Sequence, residues 1–343
     1  MDKYDTSEGW QSKRKIDKIL ARSMAYTRAT ESENDQKKSH RLSHYETSGF
    51  IQILNEIFTD LFFYKFREAG QQILCVNYTE TGEYLAAGLS NGTIELYKNN
   101  SKHCALTLQD AEIIQNPAPT TAIKRRPPQK AHPVLNTLTA TYANGCVKCW
   151  HHPSKQCLYT VRELRETLGL AYHPLLPKFV TVGNDANIYL YDEECKIQER
   201  VFHRSYTPDV MDGHTSKIFG AVFNPKSWYE LISGGWDDTV QFWDTRQPHA
   251  FRHLEGVHIC GDALDISRNG KEIITCSWQR KNTIQLWDYG SGKLIVNIEP
   301  DDQSSLLYCG KYINNYFVAC GGVDINLFRV VDLRSHSVSF SQS

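Results

Sequence analysis

The chain has 343 residues, 41% of them hydrophobic, with seven Trp and eighteen Tyr, enough to bury a sizeable core. A formal net charge of −1 argues against non-specific attraction to nucleic acid or a membrane surface, and no run reaches the eighteen or so apolar residues of a membrane span. Ten Cys behind a polar start, MDKYDTSEGW, that lacks signal-peptide character point to reduced thiols, hence to the cytoplasm with the nucleus as the alternative.

Residues 1–48 are polar and carry little globular patterning. They read as a disordered or partly helical extension, in which Trp10, Ile16, Ile19, Leu20 and Met24 share one side of a basic helix. Residues 49–69 are strongly apolar and read as a short helix leading into a strand, Leu61 to Phe66. From residue 70 to 343 the chain is built of short strands separated by turn chemistry, the pattern of an all-β fold.

Those strands recur as a unit. The first copy runs from Ile73 to Tyr97 with an Asn91-Gly92 turn, and the second ends in Cys146-Val147-Lys148-Cys149-Trp150 after Asn144-Gly145. The third ends in Tyr191-Asp192, the fourth in Trp243-Asp244, the fifth in Trp287-Asp288, and the sixth is read as ending in Phe328. These terminal aromatics recur at intervals of about 40–53 residues. Two intervals are lengthened, by Gln109 to His132 and by Phe202 to Asp212, and both excesses read as extended loops.

The fourth copy is the most complete: GHTSKIFGAVFNPKSWYELISGGWDDTVQFWD, residues 213–244. A Gly-His pair opens it, three short strands follow, and Trp-Asp closes it, so it resembles a blade of the WD-repeat β-propeller family. The resemblance implies a hydrogen-bonded chain of His214, Ser233, Asp237 and Trp243 in which every buried polar group has a partner. The same three residue types occur in hydrolase triads, but Ser233 falls inside a strand, without a nucleophile turn or oxyanion donors. Other copies depart from the pattern, with Gln71 in a His place, Asn144 for the Asp and Phe328 for the Trp. Six blades are recognisable, and a seven-bladed ring stays open as an alternative. Propellers of this family commonly close with an N-terminal strand, for which Leu61 to Phe66 is the candidate.

Three further constellations carry little chemistry. Cys146 and Cys149 lie three apart on a strand and point to opposite faces, which opposes a zinc site. Gly290-Ser291-Gly292-Lys293 lacks the rest of a phosphate loop and reads as a turn, and Lys124-Arg125-Arg126 reads as a solvated loop. No metal and no cofactor is expected.

The resemblance implies a non-catalytic interaction scaffold for protein or peptide partners. Trp236 and Trp278 follow the second strand in adjacent copies, on the face where peptides often dock in this family, and Phe219 should lie beside Trp236. A second reading is a substrate receptor of a cullin-RING ubiquitin ligase, because Trp243-Asp244-Thr245-Arg246 resembles the Trp-Asp-x-Arg box of such receptors, with Asp244 and Arg246 contacting the adaptor.

Overall fold

The computed structural model describes residues 71–99, 103–127, 134–207, 209–299, 305–323 and 327–342. The extension 1–48 and the segment 49–69, with the closing strand expected at Leu61 to Phe66, lie outside the described residues.

The described residues form six antiparallel four-stranded sheets, each made of four consecutive strands. Blade 1 comprises β1 (Ile73–Tyr78), β2 (Tyr84–Leu89), β3 (Ile94–Lys98) and β4 (Cys104–Leu108). A short helix α1 (Ala111–Gln115) leads to blade 2, β5 (Thr120–Arg125), β6 (Thr137–Tyr142), β7 (Cys146–His151) and β8 (Gln156–Arg162). Blade 3 holds β9 (Thr167–Tyr172), β10 (Lys178–Gly183), β11 (Ile188–Asp192) and β12 (Ile197–Phe202). Blade 4 holds β13 (Ile218–Phe223), β14 (Glu230–Gly235), β15 (Thr239–Asp244) and β16 (Arg252–Glu255). Blade 5 follows with β17 (Leu264–Ile266), β18 (Glu272–Cys276), β19 (Ile284–Asp288) and β20 (Leu294–Ile298). Blade 6 has β21 (Leu307–Tyr312), β22 (Phe317–Gly322), β23 (Phe328–Asp332) and β24 (Ser337–Gln342). The first strands of successive blades, β1, β5, β9, β13, β17 and β21, pack one on the next, which is the arrangement of a six-bladed β-propeller.

Strand β15 shows why these residues form blades. Its alternation sends Val240 and Phe242 into the core shared with blade 5, and Trp243 into the core shared with blade 3, beside Val180, Ile188 and Phe202. All six residues of the strand are buried, because both faces of the sheet are covered. The turns follow the sequence signals. At Asn144-Gly145 the backbone takes φ +84, and a Cβ on Gly145 would lie 2.2 Å from the Glu163 carbonyl oxygen, so only glycine fits.

Two expectations are corrected. The sixth copy does not end in Phe328. Val318 pairs with Val331 as Leu231 pairs with Trp243 and Ile273 with Trp287, so Val331-Asp332 occupies the Trp-Asp place and the repeat there runs three residues further than expected. The stretch from Gln109 to His132 is not all loop, since it contains α1 and β5. Asp110 caps α1 by accepting from the Ile113 N–H at 3.0 Å, a short-range signal that the neighbouring prolines obscured.

The α1 turn has a packing purpose. In β7, Lys148 is buried, and its ammonium reaches Asp110 and Glu112 at 2.6 Å each; Arg162 of β8 also bonds Glu112. Burial works to discharge the Lys148 ammonium, but the two carboxylates outweigh it and raise its pKa. The bonds from Arg162 and Lys148 in turn push the Glu112 carboxyl down to about 2. A carboxyl depressed on folding stabilises the fold above its unfolded pKa, near 4.3, and loses that contribution as pH falls toward about 2. The melting-temperature gap between the wild type and Glu112→Gln should therefore be largest near neutral pH and shrink below about pH 4. A gap independent of pH would remove Glu112 from the network.

Candidate functional site

Blade 4 brings His214, Ser233, Asp237 and Trp243 into one chain of bonds. His214 Nδ1 lies 2.8 Å from Asp237 Oδ2 and donates to it, and the Ser233 hydroxyl donates to Nε2 at 2.7 Å. The same hydroxyl oxygen accepts the Trp243 indole N–H at 2.8 Å. Asp237 also receives the Thr215 N–H and the Thr239 hydroxyl. Burial opposes the charge on Asp237, but the bond from His214 and its neighbours hold the carboxyl below its ordinary value. Ser233 is fully buried and its oxygen is engaged on both sides, so no substrate could meet it. The chain ties the start of blade 4 to its second and third strands.

Blade 3 closes the same place with charge. Glu163 stands at the register position of His214, and Arg165 beside it donates to Asp185 at 2.6 Å and to Thr181 Oγ1 at 2.8 Å. Glu163 in turn accepts from Arg165 Nε at 2.8 Å and from the Thr167 and Tyr191 hydroxyls. Neither Glu163 nor Arg165 stands out in the sequence, because the Gly-His signal is missing from that copy. In blade 5 only the last bond remains, Trp287 Nε1 to Thr275 Oγ1 at 3.1 Å.

The face at the β14–β15 turn is built by β-bulges. Five first strands, β1, β5, β9, β13 and β21, each carry one extra residue near that end: Leu74, Thr121, Leu168, Phe219 and Tyr308 stand opposite no partner in the register. A bulge re-aims its side chain out of the alternation. Phe219 thereby meets Trp236, with ring centroids 5.4 Å apart, and Tyr308 meets Trp278 at 4.3 Å. The two pairs adjoin at His258, whose ring stacks on Trp236 at 21° and whose carbonyl accepts the Trp278 N–H at 2.8 Å. Trp236 is 43% exposed, Tyr308 likewise 43%, while Trp278 and Phe219 are half-buried. Lys217 Nζ lies 5.4 Å from the Trp236 ring, and His258 Nδ1 bonds Asp238 at 2.6 Å.

Sequence reading did not find His258 or Tyr308. His258 sits one residue beyond the Gly-His spacing, at Gly256-Val257-His258, and Tyr308 is marked only by the bulge register.

Close to this face the first strands are bridged by ions. Asp262, just before β17, receives Lys124 of blade 2 at 2.5 Å and Lys311 of blade 6 at 2.7 Å. Burial opposes its charge, yet the two ammonium groups hold the carboxyl well below the usual range. Both its oxygens are engaged from within the protein. Lys124 is thus an internal ion-pair partner rather than part of a solvated loop.

At the opposite end of β15, Asp244 holds Arg246 in a fork, with Nε and Nη2 at 2.9 and 2.6 Å, and the guanidinium lies over the Tyr229 ring. The same fork recurs at Asp332 and Arg334 over Tyr316. Cys146 and Cys149 are buried on β7, and Ser291 turns back on Asp288, as strand and turn geometry dictate.

The sequence profile described as "WD domain, G-beta repeat" matches residues 206–244, the blade with the complete hydrogen-bond chain. The chain is a six-bladed β-propeller that carries a WD repeat. Similar proteins include the target of rapamycin complex subunit wat1 of Schizosaccharomyces pombe, 23% identical over 176 residues, covering 51% of this chain and 51% of that protein. The meiotic fizzy-related protein 1 of the same organism is 23% identical over 237 residues, covering 67% of this chain and 50% of its own. The histone acetyltransferase type B subunit 2 of Candida glabrata is 24% identical over 163 residues, covering 46% and 36%. The matches span about half or less of these relatives' own length.

Changing His214 to Ala in this propeller leaves Ser233 and Asp237 buried without their shared partner. The expected cost is roughly 1–3 kcal/mol of stability, read from denaturant unfolding of the purified protein. An unchanged midpoint would contradict the chain's structural role.

Proposed function

We propose that this WD-repeat propeller is a non-enzymatic interaction scaffold that docks a peptide or protein loop on the face bearing Phe219, Trp236 and Trp278. One observation carries the reading. Trp150, Trp243 and Trp287 at the strand ends are buried, whereas Trp236 is left 43% exposed within a cluster of four other rings. Rigid aromatic side chains left at the surface in a contiguous group favour a partner's contact over fold stability. Two of the three relatives above are named as subunits of larger assemblies, which agrees with this use. The burial of Ser233 and the bonds that engage it oppose a hydrolytic role for His214, Ser233 and Asp237.

Anchors in a desolvated centre commonly account for about 2 kcal/mol or more each, about thirtyfold in affinity. Trp236→Ala should therefore remove most partner recovery from cell extract while the melting temperature stays near that of the wild type. A sharp fall in melting temperature with recovery intact would place Trp236 among the residues that hold the fold, and the docking face would be lost as a reading.

A further inference from the structure

Between blades 3 and 4 lies an open cleft of about 530 Å³, outside the docking face described above. Its walls come from the β10–β11 turn, from the loop after β12 carrying His203, Arg204 and Tyr206, and from His214 and Thr215. We infer that this cleft is the second half of the docking surface and takes an acidic side chain of the docked peptide on Arg204. The inference rests on the docking reading above and names the chemistry of the partner.

The first support is a count of which polar groups in the cleft are already engaged. Asp185 Oδ1 receives Arg165 at 2.6 Å and the Asn187 N–H at 3.2 Å; Oδ2 receives the Asn187 side chain at 3.0 Å and the Tyr189 hydroxyl at 2.9 Å. The wall carboxylate is therefore saturated and paired with its own cation. Both nitrogens of His214 are taken by Asp237 and Ser233. Arg204 differs. Its Nε bonds the Val210 carbonyl at 3.1 Å, and among the described residues its terminal amines have no hydrogen bond and no ion-pair partner. Tyr206 and Thr215 line the same cleft. A planar guanidinium with free terminal donors matches a carboxylate better than any other common group.

The second support is that Arg204 is held in place. Ser205 N–H bonds Asp212 Oδ1 at 2.9 Å, the Asp212 carbonyl receives the Ala250 N–H at 2.8 Å, and the His203 N–H bonds the Pro248 carbonyl at 3.0 Å. Gly213 packs against the Arg204 main chain so closely that a Cβ there would lie 2.6 Å from its Cα. The loop is thus strapped at its base, and the guanidinium needs little ordering when a ligand arrives.

Continuity with the aromatic cluster supplies the third support. The segment from His214 to Phe219 lines the cleft with its first two residues and the cluster with Lys217 and Phe219. From Thr215 to Phe219 the chain bends before it enters β13, so it covers less than the roughly 13 Å of four extended steps. An extended peptide crosses that distance in about four residues or fewer, so the acidic residue stands within about four positions of the apolar anchor on Trp236.

Selection of a random-peptide display library on the full chain tests this. The wild type should enrich peptides carrying an aromatic or aliphatic anchor and an Asp or Glu at one fixed spacing. Arg204→Met should bind those peptides about tenfold or more weakly, and exchanging the peptide's Glu for Gln should weaken wild-type binding to the same degree. Arg204→Lys, which keeps the charge, should recover part of the loss, and circular dichroism of each variant checks that the fold is retained. Enriched peptides without a fixed acidic position, or equal binding by Arg204→Met, overturn the inference. Selection on Trp236→Ala separates the two readings: loss of all enrichment with Arg204 intact supports the docking face, whereas recovery of the wild-type peptides there removes it whatever Arg204 does.

Discussion

Blades 2 to 5 each pack between two neighbouring blades, and a polar side chain buried at such an interface is stabilised by a partner inside the protein. An unpaired buried donor or acceptor costs about 1–3 kcal/mol, a large part of a domain's net stability. The interface can satisfy the requirement in more than one way. Blade 4 uses an imidazole between a carboxylate and a hydroxyl, with the indole of Trp243 at the end. Blade 3 puts Arg165 and Glu163 in the same space, and blade 2 sets Lys148 against Asp110 and Glu112. What is kept between blades is closure of the bonding pattern, and the residue types vary around it.

That freedom explains which parts of the fold could be read from the sequence. The fourth and fifth copies show the Trp-Asp ending and the turns openly, and strand alternation marks the others well enough to count six blades. The sixth was misaligned because Val331 has no aromatic to mark the place, so Phe328, three residues earlier, drew the eye. The helix before β5 is a single turn followed directly by Pro117 and Pro119, which read as loop. Arg165, Glu163 and Lys148 were invisible as interface residues, since a charge in a strand reads as solvent-facing until the opposing carboxylate or cation is located in space. The aromatic face was half legible. Phe219, Trp236 and Trp278 follow from position in the repeat, whereas Tyr308 and His258 depend on bulge register and on the packing of neighbouring blades.

The division between interior and face is also physical. Polar closure fixes the blades against one another, and the bulges near the β14–β15 end then turn Phe219 and Tyr308 away from the interfaces toward Trp236 and Trp278. On that face Phe219 packs partly on the core, whereas Trp236 and Tyr308 are each left 43% exposed. The ion bridge from Lys124 through Asp262 to Lys311 engages the carboxylate nearby, leaving the aromatic surface and the adjacent cleft as the regions with bonding capacity to spare.

Consecutive hairpin turns put Trp236 and Trp228 at opposite ends of β14, and both are exposed, at 43% and 54%. Exposure alone therefore does not choose between the two faces. The most direct test installs a photo-crosslinking residue at 236, at 308 and at 228 in turn, and identifies what each position captures in cells. The account predicts that positions 236 and 308 capture the same partner polypeptide and that position 228 does not. Capture of a partner from 228 with none from 236 or 308 would contradict it.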